Sequence, residues 1–464
     1  MAPFFTSTCP MLKEIIERIH GDRVLNQLAS IVQREGVTIY LVGGAIRDLA
    51  LDRSRGDYDF ILHQGDMGIV HKLASELKGH LFSMGKDEKQ RIHRVLVGSD
   101  TLDFSPMDGA TIAEDLEKRD FTMNAMAYCL HENRFYSYPG AENDIEKKLI
   151  RMVSPEGFDR DPLRMLRAVR YLNTLEKFRL DERTKEVIRQ RATLIKTTPV
   201  ERIKMELDRI LLLPKPHLAL RELVALGLLT EMVPELRVSG GQQGEALLRI
   251  DAFSHFLRFL RYLSRWNGWE GNPPLSVEER LILSYAALVN AIGKILTTAP
   301  QRGVKGFLPQ PAPEIMTRMK CSNRFKETVQ KLINHYGNLL DLSQSRADQK
   351  ALRQFIHLVG AHVRLLIAFS LLEHRAGAHG GLPRKGQNLV RLCRRIGDLC
   401  TAEDIISPPP LITGWDVIRL GYEPGPVVGN ILHRVREKQI RGEIGTRQQA
   451  LAYLRKGGER GGRS

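Results

Sequence analysis

The chain has 464 residues, more than one compact core normally holds, so about two to four folding units are expected. With 42% hydrophobic and 27% charged residues it reads as an ordinary soluble globular protein, not a fibrous or low-complexity one. A formal net charge of +15 and an isoelectric point near 9.6 favour a polyanionic partner, because each Lys or Arg set against a phosphate releases counterions; a merely solvated basic surface fits the same numbers.

Aromatic residues make up only 6% of the chain, so recognition of a nucleic acid by shape and backbone charge is expected over a stacking platform. The cysteines (Cys9, Cys129, Cys321, Cys393 and Cys400) are odd in number, irregularly spaced and contain no C-x-x-C pair. That argues against a disulfide framework and a structural zinc, and suits a reducing cytoplasm. The N-terminus becomes charged before any apolar run reaches signal-peptide length, and no membrane span is expected.

Residues 11–35 have helical spacing, ended by Gly36. VTIYLV (37–42) is a β-branched run that predicts a buried strand. Gly43-Gly44 follows directly, then a short helix at 45–51 and a second strand, DYDFIL, at 57–62. A helix is expected at 67–79, strands at 80–84, 91–98, 101–104 and 134–138, and a segment of mixed character at 116–128. After residue 144 strand signals fade. Helices are expected at 161–175, 184–195 and 199–213, and nearly every periodic segment beyond is helical. Loops are expected at 237–247, 299–313 and 408–411, and a basic tail at 457–464.

The chemistry concentrates in residues 41–62. Asp57 and Asp59 stand two apart on a strand, so both carboxylates point to one face. Such a pair suits Mg²⁺, which takes few protein ligands and fills its shell with water and substrate phosphates. Two such ions about 4 Å apart activate a hydroxyl and stabilise a leaving pyrophosphate. Without side chains, Gly43 and Gly44 let backbone N–H groups approach a triphosphate. Arg47, on the first turn of the helix that follows, is placed to clamp the same phosphates. Taken singly, an Asp-x-Asp in a solvated loop and a Gly-Gly turn are commonplace. Their order and spacing carry the signal.

GG-x-[IV]-R-D followed by a D-x-D strand resembles the first motif of the class II tRNA nucleotidyltransferases. This family lies in the polymerase-β superfamily and includes CCA-, CC- and A-adding enzymes and poly(A) polymerases. Lys118 to Ala127 (KRDFTMNAMA) resembles RRDFTxNAxA, Asp161 to Ala168 (DPLRMLRA) resembles EDPLRMLRA, and Glu201 to Leu207 resembles the ERIxxEL helix. The resemblance implies an α+β fold: a nucleotidyltransferase head with a mixed sheet (1–140), then an all-α neck (141–215), body (216–400) and tail (401–464). It implies template-independent addition of CMP or AMP to tRNA, with two Mg²⁺ on Asp57 and Asp59, and CTP or ATP as substrate. Asp48, Arg119, Asp120 and Asn124 join the glycines in nucleotide binding, and Asp161 and Arg164 select the base, with Arg167 beside them. Asp103 is a candidate third metal carboxylate, or a solvated turn acid. Asp161 equally reads as a plain helix cap before Pro162, Arg119 and Asp120 as a surface ion pair, and Arg167 and Arg170 as solvating the helix.

The chain departs from the family pattern in three places. Arg160 stands where an acid is expected before Asp161, and Gly157-Phe158 replaces RF. The stretch from Asp103 to Asp120 is short, as in CC-adding members. LSYAALVNAIGK (283–294) sits where an HD phosphohydrolase domain would carry a metal-binding His-Asp pair; Asn290-Ala291 stands there instead, with His255 a remnant of another HD position or an ordinary histidine. His433, Arg434, Arg436, Lys438 and Arg441 crowd one stretch of the tail, as a phosphate-binding face or a solvated helix. A poly(A) polymerase and a catalytically idle RNA-binding relative are the alternatives.

Overall fold

The first amphipathic stretch breaks in two at Asp22, whose carboxylate accepts the Val24 and Leu25 N–H groups at 3.0 Å each. The result is two helices, Pro10–Gly21 and Arg23–Glu35, with Gly36 in the left-handed conformation (φ 68°) closing the second. The computed structural model describes residues 10–53, 56–85, 92–236, 251–268, 273–298, 312–345, 347–377, 384–402 and 405–457. The loops expected at 237–247 and, up to residue 311, at 299–313 lie outside the described residues, as does the tail from 458 on. The chain divides into two compact units: Met1–Leu213 with Leu218–Pro234, and Pro214–His217 with Glu235–Ser464.

A seven-stranded mixed sheet organises the first unit, in the order β3-β4-β5-β2-β1-β6-β7. The strands are β1 (Ile39–Val42), β2 (Asp57–Leu62), β3 (His80–Met84), β4 (Ile92–Val97), β5 (Asp100–Pro106), β6 (Met126–Cys129) and β7 (Arg134–Ser137). β2 and β5 run parallel; the other neighbours are antiparallel. Period-2 alternation sorts the side chains. Tyr58, Phe60, Leu62, Val95, Leu102 and Phe104 are buried on one face, with the Phe60 and Phe104 rings stacked at 4.9 Å. Asp57, Asp59 and Asp103 lie on the other. Part of that second face is covered by the helix Ile112–Glu117, whose Ile112 and Leu116 pack with Val42, Ile61 and Ala127.

The segment of mixed character at 116–128 resolves into the end of that helix, a 3-10 turn at Thr122–Asn124 and β6. Beyond the sheet, helices at Leu163–Thr174, Glu182–Arg191 and Val200–Leu211 match the expected ones within a few residues. One pairing escapes the sequence: Leu149–Ile150 and Arg179–Leu180 form a parallel two-stranded ladder too short to leave a periodic signal.

Among the described residues of the second unit every regular element is a helix. The stretch expected to hold an HD-like remnant includes the helices Asp251–Leu263, Val277–Thr298 and Val363–Gly377. Ala291 is buried, and His255 and Lys294 both reach Glu373 Oε2 at 3.0 Å. Burial works to raise the Glu373 carboxyl, but His255 and Lys294 outweigh it and hold it below its ordinary value. A carboxyl depressed in the fold contributes stability at neutral pH and loses it as pH falls below the ordinary glutamate value of about 4.3. Glu373→Gln should therefore destabilise this unit by about 2 kcal/mol at pH 7. Urea titrations at pH 7 and pH 4 check this: the gap between variant and wild type should narrow at the lower pH.

Contrary to the expectation of no apolar run of about eighteen residues, Gln349–Gly377 holds an 18-residue window of mean hydropathy 1.9, long and apolar enough by length and composition to cross a membrane. It is interrupted by a 3-10 turn at Gly360–His362, and 61% of the apolar window is buried, as in a core helix. In the tail helix Pro426–Ile440, His433 and Arg434 are exposed. Lys438 pairs with Glu443 at 2.7 Å, Arg441 with Glu437 at 3.6 Å, and Arg436 donates to the Pro408 carbonyl. Cys129, Cys321, Cys393 and Cys400 are free thiols.

Candidate active site

Strand β1 ends at Gly43, which takes φ 69° and ψ −129°, a conformation that suits glycine. A Cβ there would lie 3.4 Å from Arg119 Nη1 and 3.9 Å from Asp59 Oδ2, ordinary contact distances, so it is the positive φ that calls for glycine. Gly44 opens the helix Gly44–Ala50. A cavity of about 370 Å³ lies beside this turn, and Gly43, Gly44, Asp59, Arg119, Asp120, Asn124, Arg164 and Arg167 are among the residues that line it.

The carboxylates stand in register. Asp59 pairs across the parallel ladder with Asp103, and Asp103 across the antiparallel one with Arg94. Asp59 opens to the cavity yet is crowded by protein. Burial pushes its carboxyl up, Arg119 works against that, and the neighbouring Asp103 and Asp57 add to it. Such a group gains from a nearby cation. Asp103 is already engaged: Arg94 donates to its two oxygens at 2.8 and 2.7 Å. Among the described residues no three acidic, His or Cys side chains close around one point. The arrangement therefore offers Asp57 and Asp59 as a two-carboxylate set that leaves the rest of a metal shell to phosphates, which fits Mg²⁺.

The basic wall is built by a connected network. Arg119 donates to Asp115 Oδ2 at 2.8 and 2.6 Å. Asp120, 5% exposed, accepts from Phe121 N at 2.8 Å and Asn124 Nδ2 at 3.0 Å, and pairs with Arg167 at 2.9 Å. Burial would raise the Asp120 carboxyl, but Arg167 and these hydrogen bonds hold it low, and Asp120 in turn raises Arg167. Arg119 and Asp120 thus belong to a buried network and not to a surface pair.

Arg47 and Asp48 sit differently from the sequence reading, and Asp161 loses its reading as a cap. Arg47 is 6% exposed and is not among the cavity-lining residues. It donates to Asn124 Oδ1 at 2.7 Å and to Asp48 at 3.0 and 3.1 Å, and lies 5.0 Å from the centre of the Tyr171 ring. Arg47 and Asp48 therefore brace the wall from behind. Asp161 does not cap the helix Leu163–Thr174, which has Pro162 at its N-cap and no side-chain cap bond. Its Oδ2 accepts from Arg202 at 3.2 Å, while its Oδ1 is buried with no hydrogen-bond partner.

Arg164 donates to the Arg119 and Lys118 carbonyls at 3.0 and 2.7 Å, leaving its buried Nε without one. Gly157 makes room for it, since a Cβ there would stand 3.0 Å from Arg164 Nη1. Arg160, by contrast, is exposed. Tyr171 was not anticipated. It lines the cavity, accepts from Arg167 at 3.1 Å, and has Arg47, Arg167 and Arg170 within 4.7–5.8 Å of its ring centre. Its position four residues after Arg167, on the same helical face, is the signal that could have found it.

A mixed sheet that sets paired carboxylates beside a Gly-Gly turn and a basic, nucleotide-sized cavity defines a nucleotidyltransferase of the polymerase type. Residues 39–108 and 97–151 match the poly(A) polymerase head domain, and residues 177–239 the probable RNA- and SrmB-binding site of polymerase A. The chain is 30% identical to the A-adding tRNA nucleotidyltransferase of Deinococcus radiodurans over 90% of its own length and 95% of that protein. It is 32% identical to the CC-adding tRNA nucleotidyltransferase of Thermus thermophilus over 89% and 92%. A CCA-adding enzyme solved with ATP shares the fold at a TM-score of 0.66 and 19% identity, covering 97% of this chain and 98% of that one. The Thermotoga maritima CCA-adding enzyme solved with tRNA does so at 0.61 and 19%, covering 96% and 98%. The chain belongs to the class II tRNA nucleotidyltransferase and poly(A) polymerase family.

Proposed function

We propose that this nucleotidyltransferase extends the 3′ end of tRNA and adds the CC part of a CCA end. The RNA 3′-oxygen attacks the α-phosphorus of a nucleoside triphosphate, the bond to the β-phosphate bridge breaks, and pyrophosphate leaves. Mg²⁺ ions held by Asp57 and Asp59 would activate the hydroxyl and offset charge on the leaving group. Gly43, Gly44 and Arg119 face the triphosphate, and Arg167 with Asp120 fixes the wall behind it. Arg164, which lines the cavity, and Asp161, three residues before it, keep a buried unpartnered donor (Nε) and acceptor (Oδ1) and would turn them to a nucleobase edge on nucleotide binding. Transfer of the tRNA substrate to this chain is supported by the A- and CC-adding relatives, which it spans almost completely.

The observation that carries the CC assignment is the brevity of the connection after β5: only residues 107–111 join it to the helix Ile112–Glu117. This connection is pinned, since Lys118 Nζ donates to the Asp108 carbonyl at 2.7 Å and to Asp108 Oδ1 at 2.8 Å. It leaves no length for a flexible element that re-tools the pocket between C and A. Sequencing the products on tRNAs ending in the discriminator base, C, CC and CCA, with CTP and ATP together, tests this. Products ending in CC are expected. A completed CCA would overturn the restriction, addition of A to a CC end alone would make this an A-adding enzyme, and long A tails on unstructured RNA would make it a poly(A) polymerase.

A further inference from the structure

The register extends the catalytic face past the carboxylates. Asp59 pairs with Asp103, Asp103 with Arg94, and Arg94 with Phe82, so four side chains form one row across β2, β5, β4 and β3. Met84 and Ile92, a cross-strand pair two residues along, share the same face. Phe82 is 52% exposed, Met84 39% and Ile92 37%. The opposite face of β4 and β5 is closed by Val95, Leu102 and Phe104, all fully buried, while on the edge strand β3 Leu81 is half-buried and Ser83 exposed. The two halves of the catalytic face differ. Ile112 and Leu116 cover it at β1, β2 and β6, whereas Phe82, Met84 and Ile92 stay open to solvent at β3 and β4. An apolar patch on an edge strand invites aggregation and calls for an occupant.

We propose that Phe82, Met84 and Ile92 form a stacking platform for the unpaired 3′-terminal bases of the acceptor RNA. The proposal rests on the nucleotidyl-transfer reading, because that reading requires an RNA 3′ end to reach Asp57 and Asp59 across this face. Strands lie about 4.8 Å apart, so Phe82 stands about 14 Å along the row from Asp59, room for several stacked nucleotides behind the reacting end. Arg94, with 41% of its side chain exposed, lies midway along the row in its ion pair with Asp103. An aromatic face accepts any base, which suits an end whose last nucleotide changes after each addition. The scarcity of aromatic residues had pointed away from stacking; one ring in the right row supplies it.

The full-length protein is tested with an RNA hairpin whose unpaired 3′ end carries 2-aminopurine, comparing Phe82→Ala, Phe82→Trp and a Met84→Ala/Ile92→Ala double variant. Phe82→Ala should weaken hairpin binding and raise the acceptor KM by roughly tenfold, with the NTP KM unchanged and the fluorescence quench on binding lost. Phe82→Trp should restore all three, and the double variant should fall between. Unchanged hairpin affinity and acceptor KM in Phe82→Ala would overturn the platform. So would a wild-type dimer that Phe82→Ala separates without loss of RNA binding, which would make a second copy the occupant. Failure of the wild type to incorporate any nucleotide would refute the parent reading instead, and the affinity comparison would still decide the platform.

Discussion

Asp59→Ala lowers nucleotide incorporation by about a thousandfold or more, the loss expected when several kcal/mol of charge stabilisation at the reacting phosphate disappear. The same substitution should not harm the fold. The Asp59 carboxyl is pushed above its ordinary value by burial and by Asp103 and Asp57, so its charged form is disfavoured in the native state. A carboxyl raised in this way weakens the fold at neutral pH, and removing it relieves that cost. The metal-free variant should therefore melt at the wild-type temperature or slightly higher. Wild type should gain thermal stability from Mg²⁺ with CTP, and Asp59→Ala should lose most of that gain while binding tRNA normally. Quenched-flow incorporation and thermal melts with and without Mg²⁺ check the two halves separately. Near-normal turnover, or a collapse of melting temperature without metal, would remove Asp59 from the metal site.

The carboxylate and Gly-Gly half of this cavity was legible because its signals are local. A β-branched run, a Gly-Gly at the strand end and a D-x-D at period two are each set by backbone geometry within a few residues. The sheet strands were legible for the same reason, and Gly36 and Gly43 fall where positive φ requires them. What the sequence hid depends on partners far away in the chain. Arg47 read as a phosphate clamp because its helix position points at the turn, but Asn124, 77 residues later, and Tyr171 hold it behind the wall. Asp161 read equally as a cap, and only the Arg202 contact and its unpartnered oxygen separate the readings. The link between Asp103 and Arg94 needs the β4–β5 register, which no local pattern fixes. The apolar window within 349–377 went unread because Arg364, His357 and His362 interrupt it; its burial supplies what composition could not.

Base choice should fail differently at Asp161 and at Arg164, and the difference separates recognition from scaffolding. Asp161→Ala removes an acceptor whose Oδ1 has no other hydrogen-bond partner, so the wall of the cavity stays in place. Discrimination of CTP against UTP should fall by roughly ten- to a hundredfold, the worth of one well-placed base contact, with triphosphate affinity little changed. Arg164→Ala should do more. Its two Nη groups tie the helix Leu163–Thr174 to the Lys118 and Arg119 carbonyls, so losing it also loosens Arg119 and Asp120. Discrimination and affinity for every nucleotide should then fall together. Arg164→Lys should not rescue it, because a single ammonium cannot span two carbonyls and present a planar edge at once. Arg202→Ala provides the control: it frees Asp161 Oδ2 without touching Oδ1, and should shift nucleotide KM only a few-fold. Incorporation measured with each of the four nucleotides in turn gives both quantities. An Asp161→Ala enzyme that still rejects UTP as wild type does would leave Asp161 a partner of Arg202 and nothing more.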